Sequence, residues 1–398
     1  MRTLHFFTEF YYPVSNSTSF YITKIIQACA NHWNGTIRVF CASPKPENEI
    51  LLNRNARITR FGDGGLSKNH LFSRLLKFFL ITFKFSFAAI WNTRKGDKVF
   101  SVTNPAFMLL FLAFLRKIRK FQFILLVYDI FPEVLIPAGL SVASSMKYRL
   151  ALKVFNWAYD SADTIIVIGR DMQEVVAGKV RDPSKIVFVP NWSDTENITT
   201  DERDDNPILK RLGIEKDFVF SVAGNMGRTQ GMENILNALA LRPPEDNTSF
   251  VFMGGGAKTE TLKQEIKRIG IKNTYVTGRI PDEEQNAMLN ACDVAVISLA
   301  EGMYGLSVPS KSYFNMAAGK PLLLIGDKQS EIARVISEHG IGWVVRPGDA
   351  EGLAKALSAI REVPEEELRR KCANARKTAE KFFSENRILP QFVSCIFS

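Results

Sequence analysis

The sequence predicts an α/β protein made of two doubly wound parallel-sheet domains that face each other across a cleft. Three observations carry this. Short apolar runs alternate with longer helical patterns along the whole chain, which implies a parallel sheet with helices on both faces. The apolar runs are nearly continuous rather than alternating, as strands covered on both sides require. At 398 residues the chain is too long for one ordinary core, so the repeating pattern is read as two units.

In the first half the strand runs are LHFFT (4–8), TIRVFCA (36–42), ARITRF (56–61), DKVFSVT (97–103), FQFILLVYD (121–129) and DTIIVIG (163–169). Helical stretches near 18–33, 71–92, 105–119, 145–160 and 170–180 separate them. The second half repeats the alternation, with strands at 217–224, 248–256, 273–280, 293–300, 320–326 and 342–347. Its helices fill 231–241, 258–269, 282–291, 310–318, 329–338 and 349–361. The charged segment TENITTDERDDNPILKRLG (195–213) has no strand pattern and reads as a linker plus an entering helix. The expected organisation is a Rossmann-like domain over 1–194, the linker over 195–213, a second Rossmann-like domain over 214–363, and a helical tail over 364–398 packing back on the first domain.

Charge divides the chain unevenly. Through residue 190 there are 25 Lys and Arg against 12 Asp and Glu, an excess larger than the +10 of the whole chain. A basic half points to an anionic surface: nucleic acid, anionic lipid or a phosphorylated acceptor. Solubility alone is the plain alternative. No helix-turn-helix, RRM, KH or zinc-finger signature is present, so nucleic acid is not expected as a partner. The five cysteines, Cys29, Cys41, Cys292, Cys372 and Cys395, are scattered without zinc spacing and read as reduced residues of a cytosolic protein. The opening MRTLHFFTEFYYP lacks a cleavable signal pattern.

Two segments raise the question of a membrane. LFSRLLKFFLITFKFSFAAIW (71–91) is interrupted by Arg74, Lys77 and Lys84, which a spanning helix seldom carries. It reads either as an amphipathic helix with phenylalanines on one side and cations on the other, docked on an anionic surface, or as a core helix. PAFMLLFLAFLRKIRK (105–120) is too short to span and reads as a buried crossover helix.

Chemistry is expected at the carboxyl ends of the strands, where doubly wound sheets bind ligands. In FSVAGNMGRTQGMENILNAL (220–239) a strand runs into Gly224, and a turn with Gly227 and Gly231 opens a helix. Helix amides and the dipole suit a phosphate there, glycine allows close approach, and Arg228 adds a forked cation. A tight strand–helix turn is the plain alternative. A second glycine turn follows at Gly254, Gly255 and Gly256, and TGRIPDEE (277–284) ends the third strand. In SLAEGMYGLSVPSKSYFNMAAGKP (298–321), Ser310 is placed to cap a helix. Lys311 sits at the helix start, unfavourably for the dipole unless an anion is bound. Glu301 ends the preceding strand, where it can take part in sugar or transition-state contacts or, as a lone acid in a loop, do nothing. In VYDIFPEVL (127–135), Asp129 and Glu133 lie on the ligand edge of the first domain. A carboxylate there can orient a hydroxyl or steady a cationic transition state, or simply start a helix. The first turn, TEFYYPVSNSTSFY (8–21), lacks the glycine pattern of a dinucleotide site.

FVPNWSD, GNMGRTQG, the MGGG turn, TGRIPDEE and VPSKSYFNMAAGKP, in that order, resemble the family-4 retaining glycosyltransferases of GT-B fold, in the branch that builds bacterial O-antigen, capsule or exopolysaccharide. The resemblance is strong over about 185–362 and weaker over 1–185, where YYP and the D-x-x-P-E pattern anchor it. It implies transfer of a sugar from a nucleoside diphosphate sugar with retention, without cofactor or essential metal, to a lipid-linked or other saccharide acceptor. By the motif, Gly224, Arg228, Gly231 and Lys311 hold phosphates; Arg279 and Ile280, with Gly254, lie near the base. Glu301 through Gly305, including Tyr304, and Ser307 and Ser310 face the diphosphate and sugar. Asp129 falls where many members carry a catalytic-site histidine, and Asp129 and Glu301 are taken as the catalytic pair. Two departures stand out. Asn225 and Gln230 occupy the usual Arg and Lys slots of the first phosphate loop, and Phe314 occupies the slot of a second glutamate. The alternative function is a nucleotide-sugar epimerase of the same fold; a nucleic-acid-binding protein ranks below both. The expected location is cytoplasmic, peripheral on the inner face of the membrane, with the basic first domain against anionic lipid.

Overall fold

The computed structural model describes residues 2–48, 56–62, 71–201, 203, 205–242 and 247–398; within the helix that starts at residue 71, the side chains of 71–75 and 77 are outside the description, as are Glu202 and Asp204 of the linker. The first sheet comprises β1 (Thr3–Thr8), β2 (Thr36–Cys41), β3 (Ala56–Arg60), β4 (Lys98–Val102), β5 (Gln122–Val127), β6 (Thr164–Val167) and β7 (Ile186–Phe188). Their order is β3-β2-β1-β4-β5-β6-β7, all parallel. Helices α1 (Ser17–His32), α2 (Leu71–Asn92), α3 (Ala106–Arg119), α4 (Met146–Asp160) and α5 (Arg170–Ala177) make the crossovers. The apolar runs explain the burial: every residue of β4 is buried, and so is β5 beyond its first residue.

The second sheet comprises β8 (Phe218–Ala223), β9 (Thr248–Met253), β10 (Thr274–Gly278), β11 (Val294–Ser298), β12 (Leu322–Ile325) and β13 (Gly342–Val345), in the parallel order β10-β9-β8-β11-β12-β13. Its helices are α6 (Pro207–Leu212), α7 (Met232–Ala240), α8 (Thr259–Ile269), α9 (Gln285–Asn290), α10 (Lys311–Ala317), α11 (Glu331–His339) and α12 (Ala350–Arg361), followed by α13 (Glu365–Phe382) and α14 (Glu385–Phe397). Strand order reverses between β1 and β4 in one sheet and between β8 and β11 in the other. Those are the switch points where crevices open in such sheets.

Strands and helices fall where the sequence pattern places them, with one addition. β7, three residues long, has too few apolar positions to show a period. In the linker, Asn206 caps α6 by accepting from the Ile208 and Leu209 amides, and Arg203 pairs with Asp293 beneath β8. α14 lies on the first domain, where Phe397 stacks on Trp33 (5.3 Å between centroids) and Phe392 meets Trp192 edge-on (5.4 Å).

α2 corrects a finer expectation. Ile81, Phe85, Ala88 and Ala89 are buried, while Phe79, Phe83, Phe87 and Trp91 are exposed, so aromatic residues occupy both faces. The Lys84 ammonium donates to the Phe61 carbonyl (3.1 Å) instead of joining a cationic stripe. Arg74 and Lys77 lie outside the described side chains.

Candidate active site

The loops after β8 and β11, the two strands flanking the second switch point, are locked together. The Ala300 amide donates to the Thr229 carbonyl (2.8 Å), which places Glu301 beside the 224–231 loop. Gly224 has φ +105, a conformation that favours glycine. Its amide donates to the Met253 carbonyl (2.7 Å) and that of Met226 to Gly255 (3.0 Å), so the first two glycine turns sit against each other. Gly254 is consumed by this packing: a Cβ there would run into the Gly224 carbonyl.

Within the loop the predicted residues divide. Asn225 and Arg228 are exposed, and Arg228 opens a single 3-10 turn that Gly231 ends before α7. The Gln230 carbonyl oxygen accepts from the Gly227 amide (2.7 Å), so this side chain shapes the loop. Lys311, at the first position of α10, is half-buried and reaches the Asn225 carbonyl (3.5 Å). Burial lowers its ammonium from the ordinary lysine range to about 8. Lys311 therefore reaches the β8–α7 loop, which carries Arg228. Ser310 does not cap: it occupies the N-cap position with α-helical dihedrals and no side-chain bond to the first turn. Its ψ turns the hydroxyl away from the extended geometry that capping needs. Arg279 is exposed and pairs with Asp282 (3.6 Å), and Ile280 is half-buried on the adjacent β10 loop.

Asp129 arrives from the other domain. It follows β5, and Thr103 Oγ accepts from its amide (3.3 Å). It pairs in antiparallel sense with Ser307, and the Ile130 amide donates to the Leu306 carbonyl (2.9 Å). The backbone of the first domain is thus joined to the loop after β11. Burial pushes the Asp129 carboxyl up to about 6. Glu133, four residues on, is corrected as a chemical candidate: the buried Lys179 ammonium bonds to it, and that ammonium also lies over the Tyr159 ring (5.2 Å).

The rest of the 301–310 loop forms a contact between domains that the sequence did not reveal. The Tyr304 hydroxyl bonds Glu174 of α5, which also accepts from Arg334 of α11 (2.8 Å). Arg170 Nε donates to Glu331 (2.8 Å) and Nη1 to Glu338 (2.6 Å). Buried Asp171 accepts from the Glu331 amide (3.1 Å). Gly305, at φ +65, presses so closely on α5 that a Cβ would come within 2.7 Å of the Asp171 carbonyl. Phe314 packs edge-on against Phe20 of α1 (5.5 Å), so the slot of the family's second glutamate is filled here by aromatic packing between domains. Among the described residues, no group of three or more His, Cys, Asp or Glu is arranged to hold a metal.

Fold and loops define the class: a GT-B fold, two facing Rossmann-like domains with glycine-rich loops at the switch points. A protein-family model described as Glycosyl transferases group 1 matches residues 204–379. The Pseudomonas aeruginosa protein named "Probable glycosyltransferase WbjE" is 37% identical over 396 residues, covering 100% of this chain and 98% of that protein. WcaI of Escherichia coli K12, named for colanic acid biosynthesis, is 22% identical over 309 residues, 76% of this chain and 74% of that protein. The crystal structure of Anabaena HepE in complex with UDP and glucose superimposes with a TM-score of 0.73 at 17% identity, covering 100% of both chains. The chain belongs to the group 1 glycosyltransferases.

Proposed function

We propose that this glycosyltransferase moves a sugar, with retention at the anomeric carbon, from a nucleoside diphosphate sugar to a lipid-linked or other saccharide acceptor in bacterial surface polysaccharide synthesis, O-antigen or capsule. One observation carries the reading: the Asp129–Ser307 pairing holds a half-buried carboxylate of one domain against the loop that follows β11 in the other. The diphosphate lies on the 224–231 loop, where Arg228, Lys311 and the α7 and α10 amides meet its charge without a metal or other cofactor. Gly231, Ser307 and Ser310 border it; Arg279 and Ile280 are nearest the base. Asp129 and Glu301 face the sugar. Asp129, ionised at pH 7, steadies the positive charge that develops as the anomeric C–O bond breaks and the diphosphate leaves with the electron pair. The name of WbjE supports the reaction class, that of WcaI the product class, and the UDP and glucose of HepE the donor class.

The chain works in the cytoplasm, peripheral on the inner face of the membrane, with its basic first domain toward anionic lipid and the acceptor. That basic half also favours transfer over epimerisation, which needs no such surface. Incubation with UDP-, GDP- and dTDP-sugars, with and without a lipid-linked saccharide, tests the reading. Acceptor-dependent release of nucleoside diphosphate and a lengthened saccharide are expected. A free epimer or hydrolysed sugar in place of that product would refute transfer.

A further inference from the structure

The first domain carries a surface that the donor chemistry leaves unused. α2, α3 and α4 pack side by side in that order. On α2, Phe83 and Trp91 are each 71% exposed and lie two turns apart on one face. Phe79 stacks on Phe107 of α3 (5.3 Å between centroids), both exposed, and so carries the apolar surface across the helix boundary. α3 continues it with Phe114 and Ile118, and α4 with Met146, which is 81% exposed. A soluble domain seldom leaves a run of large apolar side chains on three adjacent helices facing water.

The charge around this face has one sign. Between residues 71 and 128 the only acid in the sequence is Asp97, and it is buried. Lys117 and Lys120 at the end of α3, and Lys147, Arg149 and Lys153 on α4, are all exposed. Aromatics ringed by cations match the acyl boundary and headgroups of an anionic bilayer. A second copy of the chain fits poorly. A twofold contact would set the same basic surface against itself, and like charges oppose each other there. Among the described residues no helix is long and apolar enough to cross a membrane, so the contact is one of lying on the surface.

We propose that the α2–α3–α4 face docks on an anionic lipid bilayer, with Phe83, Trp91, Phe114 and Met146 entering the acyl boundary and the lysines and Arg149 meeting lipid phosphates. This deepens the membrane part of the function proposed above and names its surface. The test is co-sedimentation of the whole chain with phosphatidylglycerol/phosphatidylethanolamine vesicles and with phosphatidylcholine vesicles, together with quenching of Trp fluorescence by doxyl-labelled lipid. The chain is expected to bind the anionic vesicles, and quenching is expected to fall markedly in Trp91→Phe. Phe83→Ser with Phe114→Ser, and separately Lys147→Glu with Arg149→Glu, should each lower partitioning about tenfold or more. Thermal shifts by nucleoside diphosphates, measured on the same samples, should not change, so a failure of the donor reading shows there and leaves the vesicle result intact. No binding by the wild type, wild-type partitioning by both variants, quenching undiminished in Trp91→Phe, or self-association abolished by the phenylalanine substitutions would each overturn the proposal.

Discussion

The glycine-rich edge of the second domain and the outer face of the first leave different traces in the sequence. The edge is built from glycines whose dihedrals or close contacts exclude a side chain, and from a lysine placed against a helix dipole. Such demands are local, so they appear as short strings. The outer face is made mostly of phenylalanines no different in kind from those in the core. Only packing decides that Phe85 is buried and Phe83 is in water. Backbone constraint is therefore legible residue by residue, whereas surface chemistry becomes visible only after the helices are placed.

The comparison can be broken most sharply at the edge. Asp129→Asn should lower kcat/KM about a thousandfold, since it removes a charge needed only as the sugar becomes cationic. Its Tm should equal or exceed wild type at pH 7. The fold raises this carboxyl's pKa from 3.8 to about 6, so ionisation opposes folding, and the gain should shrink as pH falls and vanish well below pH 3.8, where the group is protonated in both states. Loss of Tm at pH 7 would make Asp129 a structural residue. Lys311→Ala should cost about a hundredfold in kcat/KM with the fold intact, as shown by an unchanged circular dichroism melt. In wild type, kcat/KM should rise through about pH 6 as Asp129 ionises and fall through about pH 8 as Lys311 loses its proton. Lys311→Arg should move the alkaline limb upward and leave the acid limb in place; an unmoved alkaline limb would assign it to another group.

Smaller effects sharpen the contrast from the contact between domains. Gly305→Ala forces a side chain into a left-handed conformation and into α5, and should cost about 1–3 kcal/mol, read as a lower denaturation midpoint. No change would mean that α5 and the loop separate freely. Tyr304→Phe removes one hydroxyl bond to Glu174 and should change kcat by less than about threefold. A larger fall would place the Tyr304 hydroxyl in the chemistry rather than in the contact.

Alternation of strand and helix was readable because each period is contained in a few residues. β7 escaped because three residues are too few to show one. At the site, Lys311 and the 224–231 loop could be named from the sequence, and the structure brings them together through the Asn225 carbonyl. Ser310 was read as a cap from its type, but capping depends on dihedrals that its type does not fix. Glu133 looked identical in kind to Asp129 until Lys179, distant in sequence, was found bonded to it. The Arg170, Asp171 and Glu174 partners lie on α11 and the 301–307 loop, and no short-range pattern links charges so far apart in the chain.

The most direct measurement is a thermal shift with UDP, GDP and dTDP on the wild type and on Lys311→Ala. Bound ligand raises apparent stability by mass action. At least one nucleoside diphosphate should raise the wild-type Tm, and at the same concentration the shift should be largely lost in Lys311→Ala. An equal shift in both proteins would contradict a diphosphate seated between the β8–α7 loop and Lys311.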